Sequence, residues 1–337
     1  MSMTKTTYKK QTTYGKARTV SVIIPSFRSG KTIERCLQSL MDQDYPKRLY
    51  EIIVVDNLSK DETDEVCKRF KKVRLIKKLS NPAEARNYGA KVAKGKIILF
   101  IDADCVVPKN TLSKIIKNFT KYDVAGVGGV YKTLNKDRFM ARYIGYEIAY
   151  RHEKESKFTD FLGTYCCAYI KKIFLDAGGF DEKFKIASGE DPELSFRIAK
   201  KHKLILDKNI FVWHPHPNSF KKYMKNQYGR AFWRVLMYKK FPKKIVGESY
   251  TGLEIPLASF FMIAFGLSAV LSFFYSIFAY LAALSIILFY FVYYPFFRHL
   301  YKREMGQFLS AFLILPIRTL VCFVGFVDGL TKIGKMK

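Results

Sequence analysis

Between Ile255 and Phe297 the sequence holds no Asp, Glu, Lys, Arg or His. These 43 residues are about twice the ~20 that one helix needs to cross the hydrocarbon core of a bilayer. Soluble cores rarely tolerate so long an uncharged stretch. The run therefore predicts two spans, 255–274 and 276–297, joined by a tight turn near Ser272–Ser276. A third apolar run, Gln307–Val327, contains one charge, Arg318, and one proline, Pro316. A buried core helix competes with a third span there. Arg318 would be expensive facing lipid, so it is expected to meet a phosphate or a neighbouring helix. The chain divides into a basic N-terminal tail (1–18), a soluble domain (19–218), a basic amphipathic segment (219–250), a membrane region (251–330) with two to three helices, and a basic tail (331–337).

The charge balance fits that division. Lys and Arg total 58 against 29 Asp and Glu, a net charge of +29, in a chain that is 49% hydrophobic. So basic and so apolar a chain needs a polyanionic partner or a membrane. No helix-turn-helix, zinc-finger or RNA-recognition signature supports a nucleic-acid partner, and none is expected. Basic residues concentrate on the cytoplasmic side of membrane proteins, which predicts a multi-pass cell-membrane protein with its soluble domain in the cytoplasm. Met1–Arg18 lacks an apolar core and is expected to be a flexible tail touching anionic lipid. Ser219–Lys244 places aromatic residues and lysines at helical spacing, with Phe232, Trp233, Leu236 and Met237 toward lipid or the domain. Two spans would return the chain to the cytosol at Arg298, Lys302 and Arg303. A third would carry Lys332, Lys335 and Lys337 outside, against the positive-inside tendency, unless that run is re-entrant around Pro316. The six cysteines show no C-x-x-C spacing, so neither a zinc site nor a disulfide framework is expected.

The N-terminal half alternates short β-type runs with helical patterns. Strands are predicted at Val20–Ile24, Glu51–Val55, Val73–Lys77 and Lys96–Ile101, with helices at Thr32–Met41, Asp61–Phe70 and Ala83–Ala93. That rhythm implies right-handed βαβ units and a parallel sheet, whose ligands bind at the C-terminal strand ends. Those ends carry Pro25-Ser26-Phe27, Asp56-Asn57 and Asp102-Ala103-Asp104. No G-x-G-x-x-G follows the first strand and no P-loop is present. Further on, Val124–Tyr131 and Ile210–Trp213 read as strands, Gly178-Gly179 as a turn and Pro192–His202 as a helix.

Three groups of residues carry chemistry. Asp102 and Asp104 end an apolar strand on one side of the chain. Their mutual repulsion falls if a hard divalent cation and substrate phosphates share the site. Gly189-Glu190-Asp191 opens a helix, where Asp191 serves either as an N-cap or as a general base. His214, in His214-Pro215-His216-Pro217, follows a short strand and could ligate the same metal or bond a phosphate.

In order along the chain, these residues resemble a family 2 glycosyltransferase of the GT-A fold. The resemblance rests on Ser21–Phe27 (S-V-I-I-P-S-F), Ile53–Asn57 with Ser59 and Asp61, Asn81–Ala90 (N-P-A-E-A-R-N-Y-G-A), Ile101–Asp104, Gly178–Glu182 (G-G-F-D-E), Gly189–Asp191 and Gln227–Arg230. It covers roughly residues 20–235. It implies an α/β class with a Rossmann-like nucleotide-sugar domain, a mostly parallel sheet and C-terminal transmembrane helices. Pro25, Ser26 and Asp56 would line the nucleotide pocket, with Asp56 facing the base. Arg86 and Asn87 would sit near ribose and diphosphate, with Arg230 in the same binding set. Asp102 would hold ribose or metal, and Asp104 and His214 would hold the metal, Mg²⁺ or Mn²⁺. Asp191 would be the base of an inverting transfer, with Glu190 beside it in the catalytic set. Leu58 stands where glycine is usual and should alter the turn. Ala231 replaces a tryptophan that follows Q-x-x-R in processive synthases.

The implied reaction moves a sugar from a nucleotide-diphosphate donor to a lipid-linked acceptor, a polyprenyl phosphate or lipid-linked saccharide, at the membrane. A polysaccharide synthase, an inactive nucleotide-sugar-binding relative and a basic polyanion-binding membrane protein are the alternatives.

Overall fold

The computed structural model describes residues 19–186, 188–246, 250 and 252–333. The expected tail at 1–18 and the final lysines Lys335 and Lys337 lie outside them. The first part of the chain runs β1 (Val20–Ser26), α1 (Gly30–Met41), β2 (Tyr50–Asp56), α2 (Thr63–Lys68), β3 (Val73–Lys77), α3 (Pro82–Val92), β4 (Ile97–Ile101) and α4 (Thr111–Lys121). It continues through β5 (Gly126–Thr133), α5 (Phe139–Lys154), β6 (Phe158–Thr159), β7 (Cys166–Ile170), α6 (Lys171–Asp176), α7 (Glu190–Ala199) and β8 (Leu204–His214). The last part is helical: α8 (Phe220–Lys240), α9 (Glu254–Leu271), α10 (Ile277–Val292), α11 (Tyr294–Tyr301) and α12 (Met305–Ile333).

The strands form one sheet in the order β3-β2-β1-β4-β7-β5-β8-β6. β1 to β4 are mutually parallel, and β5 pairs parallel with β8. β7 runs antiparallel between β4 and β5, and β6 runs antiparallel on β8. The mostly parallel α/β class is therefore as expected. Every residue of β4 is buried, as in a strand covered on both faces. One face packs Val22, Ile24 and Leu99 against Leu37 of α1, Val66 of α2 and Ile115 of α4. The other packs Ile23, Ile53 and Phe100 against Ala90 of α3, Phe174 of α6 and Leu194 of α7.

A third core joins the domain to the apolar helices. Tyr143 and Ile144 of α5 and Tyr223 of α8 pack with Met262 of α9, Phe289 of α10, Phe296 of α11 and Leu315 of α12. α9 and α12 are long and apolar enough to cross a membrane. The predicted turn lies between α9 and α10. The predicted span 276–297, however, is broken, with α10 and α11 meeting at a bend of 55°. Pro295 in the first turn of α11 lacks the N–H that would continue α10.

α12 departs from the third-run expectation in a different way. It passes through Pro316 without a break, so the chain does not turn back there. Proline leaves the carbonyl four residues earlier without its N–H donor. That carbonyl, Phe312 O, accepts instead from the Tyr290 hydroxyl at 2.9 Å. The C-terminal half of α12 lies against α8. A Cβ at Gly325 or Gly329 would stand 2.6 Å from the carbonyl oxygen of Tyr228 or Phe232, so this G-x-x-x-G is what lets the two backbones touch. On α8, Met237 is fully buried beside Phe184 and Phe196, which directs that residue to the domain.

Candidate active site

The parallel strands end at one edge. Ser26 pairs in register with Asp56, placing Pro25, Ser26 and Asp56 side by side. Asp56 is 1% exposed. It accepts from the Ser59 amide at 2.8 Å and the Ser59 hydroxyl at 2.6 Å, and Ser59 Oγ accepts from Arg28 N at 2.7 Å. Asp56 thus ties the two strand-end loops together. Leu58 takes the left-handed conformation itself, at φ 50°, at a steric cost of roughly 1–2 kcal/mol. The Ser26 hydroxyl is buried without a partner.

Arg86 lies at the centre. An N-terminal capping box starts α3: Asn81 Oδ1 accepts from Glu84 N at 3.0 Å, and Asn81 N donates to Glu84 Oε2 at 2.9 Å. One turn later Arg86, 2% exposed, donates Nη2 to Asp102 Oδ1 at 2.9 Å and Nη1 to Glu190 Oε1 at 3.0 Å. The same arginine therefore joins the D-x-D strand end to the start of α7. Each terminal nitrogen commits one N–H to a carboxylate, while Nε is buried without a partner. Asn87 is likewise committed. Its amide donates to Phe180 O and Glu182 Oε1, each at 2.9 Å, and accepts from Phe180 N at 2.8 Å. It clamps the Gly178–Glu182 loop, whose two glycines turn at φ 85° and 69°.

Glu190 is fully buried. Its Oε2 accepts from Ser188 N at 2.7 Å and Gly189 N at 3.1 Å. Burial and neighbouring Asp191 push its pKa up, against the pull of Arg86. A carboxylate so enclosed braces the start of α7 against Arg86 of α3. Gly189, at φ 139°, holds the N-cap position of α7, so Asp191 is not the cap. Asp191 Oδ2 instead accepts from Thr164 N and Thr164 Oγ1, both at 3.2 Å.

His214 Nε2 stands 3.5 Å from Asp104 Oδ2. Asp104 Oδ1 is buried with no partner, and burial raises the Asp104 pKa. His216 Nδ1 is 3.3 Å from His214 Nδ1. Burial, then the charges of His214 and Arg230, lower the His216 pKa to about 3, so this ring is neutral. A buried carboxylate oxygen without a donor beside a histidine nitrogen suits a divalent cation. Among the described residues no three His, Cys, Asp or Glu side chains converge as a ready ligand set, because Asp102 turns to Arg86. The expected trio is thus divided: Asp104 and His214 meet, and Asp102 leans away. Arg230 is exposed on α8.

Several residues beside these sites carried no local sequence signal. Thr164 lies outside any motif. Tyr165 stacks on Tyr131 with ring centroids 3.5 Å apart, and Tyr131 lies 4.8 Å from the His214 ring. Arg318 is 4% exposed. It bonds Glu147 of α5, and its Nη2 donates to Tyr293 Oη at 2.7 Å. That meets the expectation of a neighbouring helix rather than lipid.

Comparison with known proteins gives the same outline. The family described as glycosyl transferase family 2 matches residues 21–177. A Methanococcus voltae protein, dolichyl N-acetyl-alpha-D-glucosaminyl phosphate 3-beta-D-2,3-diacetamido-2,3-dideoxy-beta-D-glucuronosyltransferase, is 30% identical over 236 residues, which are 63% of this chain and 72% of that one. Glycosyltransferase AglE of Haloferax volcanii is 34% identical over 116 residues. That match spans 33% of this chain and 38% of AglE. Poly(ribitol-phosphate) beta-N-acetylglucosaminyltransferase TarS of Staphylococcus aureus is 38% identical over 27% of this chain, only 17% of its own length. Among solved structures, mannosyltransferase PcManGT from Pyrobaculum calidifontis, determined with GDP-Man and Mn²⁺, superposes with a TM-score of 0.59. It covers 96% of this chain and 89% of its own at 18% identity, a likeness of fold.

Proposed function

The chain belongs to glycosyl transferase family 2, and from that premise we propose that this glycosyltransferase moves a sugar, with inversion, from a nucleotide-diphosphate donor to a lipid-linked acceptor at a membrane surface. The observation that carries the reading is the way Arg86 divides the carboxylates. It binds Asp102 and Glu190 and leaves Asp104 and Asp191 for chemistry. Pro25, Ser26 and Asp56 line the nucleotide end. Asp191 removes the proton of an acceptor hydroxyl, or orients an acceptor phosphate. Asp104 and His214 would hold Mg²⁺ or Mn²⁺. When bound, that ion offsets the negative charge developing on the departing diphosphate. Arg230, exposed near His216, adds positive charge at the same end.

The acceptor follows from the shared core. α5 and α8 of the catalytic domain pack directly on α9 to α12, which holds the domain against whatever the apolar helices enter. We place α9 and α10 in a bilayer as a hairpin, the domain on the cytoplasmic side, and α12 along the domain with Leu309, Leu313, Val324 and Leu330 outward, all of them exposed. In support, the Methanococcus voltae relative carries a dolichyl-linked acceptor in its name.

The test uses membranes containing the full chain. They receive radiolabelled UDP-N-acetylglucosamine, UDP-glucose or GDP-mannose, with MgCl₂ or MnCl₂, and polyprenyl phosphate or a crude lipid-linked saccharide fraction. Label should enter the organic phase with one donor and require the metal. Label appearing only in a long water-soluble polymer would favour a synthase instead. Metal-dependent donor binding without transfer to any acceptor would favour an inactive relative.

A further inference from the structure

A buried row of polar side chains ends on Tyr165, next in the chain to the residue that holds the proposed base. Glu155 Oε1 lies 2.8 Å from His152 Nδ1, and His152 Nε2 lies 3.2 Å from the Tyr165 hydroxyl. Glu155 and His152 are each 4% exposed and Tyr165 is 6% exposed. With the proton on Nδ1, His152 donates to Glu155 Oε1 and accepts from Tyr165, while Glu155 Oε2 is buried without a partner. All three are closed off from solvent, so the row does no chemistry of its own. Its effect is to fix Tyr165, whose ring is also held against Tyr131. The preceding residue, Thr164, is 4% exposed. Its amide and hydroxyl both donate to Asp191 Oδ2.

We propose that Thr164 is a positioning residue for Asp191, and that the Glu155–His152–Tyr165 row locks it in place. The inference rests on the reading of Asp191 as the base. In that step the acceptor hydroxyl gives its proton to Asp191 while its oxygen bonds the anomeric carbon. The bond from that carbon to the donor phosphate breaks, and its electron pair leaves with the nucleoside diphosphate. Two donors on Oδ2 fix the plane of the carboxylate, so its other oxygen meets the acceptor in one orientation. The Tyr165–Tyr131 stack carries the same turn to His214 at the leaving-group end. One short loop thereby sets the distance between the two halves of the reaction.

The experiment follows transfer from UDP-N-acetylglucosamine and GDP-mannose in membranes bearing wild type, Thr164→Val, Thr164→Ser, Asp191→Asn and the Thr164→Val/Asp191→Asn pair. Valine keeps the backbone donor and the volume but loses the hydroxyl donor. Thr164→Val should lower kcat about tenfold, the range expected for one hydrogen bond to a charged group, with donor KM and Tm unchanged. Thr164→Ser should restore turnover. The double variant should be no worse than Asp191→Asn alone, because the hydroxyl acts only through that carboxylate. Tyr165→Phe, which cuts the row, should lower kcat about threefold in the same way. Full kcat in Thr164→Val while Asp191→Asn is dead would overturn this inference and leave the base standing. A further loss in the double variant, or a matching fall in Tm, would reduce Thr164 to a structural residue. An active Asp191→Asn would overturn the base itself.

Discussion

The strand end at Asp102-Ala103-Asp104 and the helix start at Glu190-Asp191 are built alike from opposite parts of the chain. Each offers two carboxylates, and in each one carboxylate is taken by Arg86 while the other is not. The difference lies in what holds the remaining one. Asp104 has a histidine nitrogen on one oxygen and a buried, unpartnered other oxygen, an arrangement suited to a cation. Asp191 is held by two donors from Thr164, an arrangement suited to an oriented base. Equal residue types thus receive unequal tasks from their surroundings. Arg86, reaching both ends from α3, makes the division.

The hardest blow to that division is Arg86→Met. It takes from buried Glu190 and from Asp102 the cation that binds both, which should drive Glu190 to its neutral form, cost up to about 3–5 kcal/mol and abolish transfer. Adding Glu190→Gln should restore much of the melting temperature but not the activity, because Asp102 stays free to swing toward Asp104. Thermal melts in detergent beside transfer assays separate these effects. An Arg86→Met protein that melts and works like wild type would mean that the carboxylates are sorted by something else.

A second comparison sets this clamp against the seam between domain and apolar helices. There Arg318 of α12 and Arg151 both meet Glu147, whose pKa falls from 4.5 to about 2 through Arg151 and Arg318, with Tyr223 helping, against burial. A depressed carboxylate stabilises the fold above its unfolded pKa and loses that contribution as pH falls through the folded one. The melting temperature should therefore drop between about pH 4.5 and pH 2, and less steeply in Glu147→Gln. Arg318→Met should cost about 2–3 kcal/mol, below the loss of Arg86 because Arg151 still neutralises Glu147. Donor binding should survive, since Pro25, Ser26 and Asp56 lie outside the seam. Equal acid sensitivity in wild type and Glu147→Gln would remove Glu147 from the seam's energetics.

The smallest effect concerns the donor end. Leu58 holds a left-handed backbone that glycine adopts without strain. Leu58→Gly should raise stability by up to about 1 kcal/mol, the relief being offset by the greater freedom of glycine in the unfolded chain. Transfer should stay within about twofold of wild type, because Asp56 and Ser59 hold the loop. A stability loss would show that the Leu58 side chain packs more than it strains.

Much of the first half could be read from sequence because its structure is written locally. Apolar runs such as I-I-L-F-I mark strands covered on both faces, and N-P-A-E marks the box that starts α3. The uncharged run marked the α9–α10 hairpin because bilayer length is itself a local measure. What escaped depends on distant partners. The 16-residue helix α5 has mixed faces, since it is covered by the domain on one side and apolar helices on another. Glu190 and Asp191 are neighbours in sequence, and only Arg86, 104 positions from Glu190, tells them apart. Nothing beside Thr164 marks it as the partner of Asp191. The G-x-x-x-G of α12 was present to be read, and it distinguishes a helix packed on α8 from one surrounded by lipid.

The most direct measurement compares four single substitutions, Asp102→Asn, Asp104→Asn, Glu190→Gln and Asp191→Asn, for transfer and melting temperature in the same membranes and detergent. Asp104→Asn and Asp191→Asn should keep the wild-type melting temperature and lose transfer by about a thousandfold or more, as expected when a charge-stabilising or proton-accepting group is removed. Asp102→Asn and Glu190→Gln should melt earlier and keep measurable transfer. The reverse pattern, with Asp102 and Glu190 indispensable to turnover and Asp104 and Asp191 needed only for stability, would contradict the division of labour that Arg86 imposes.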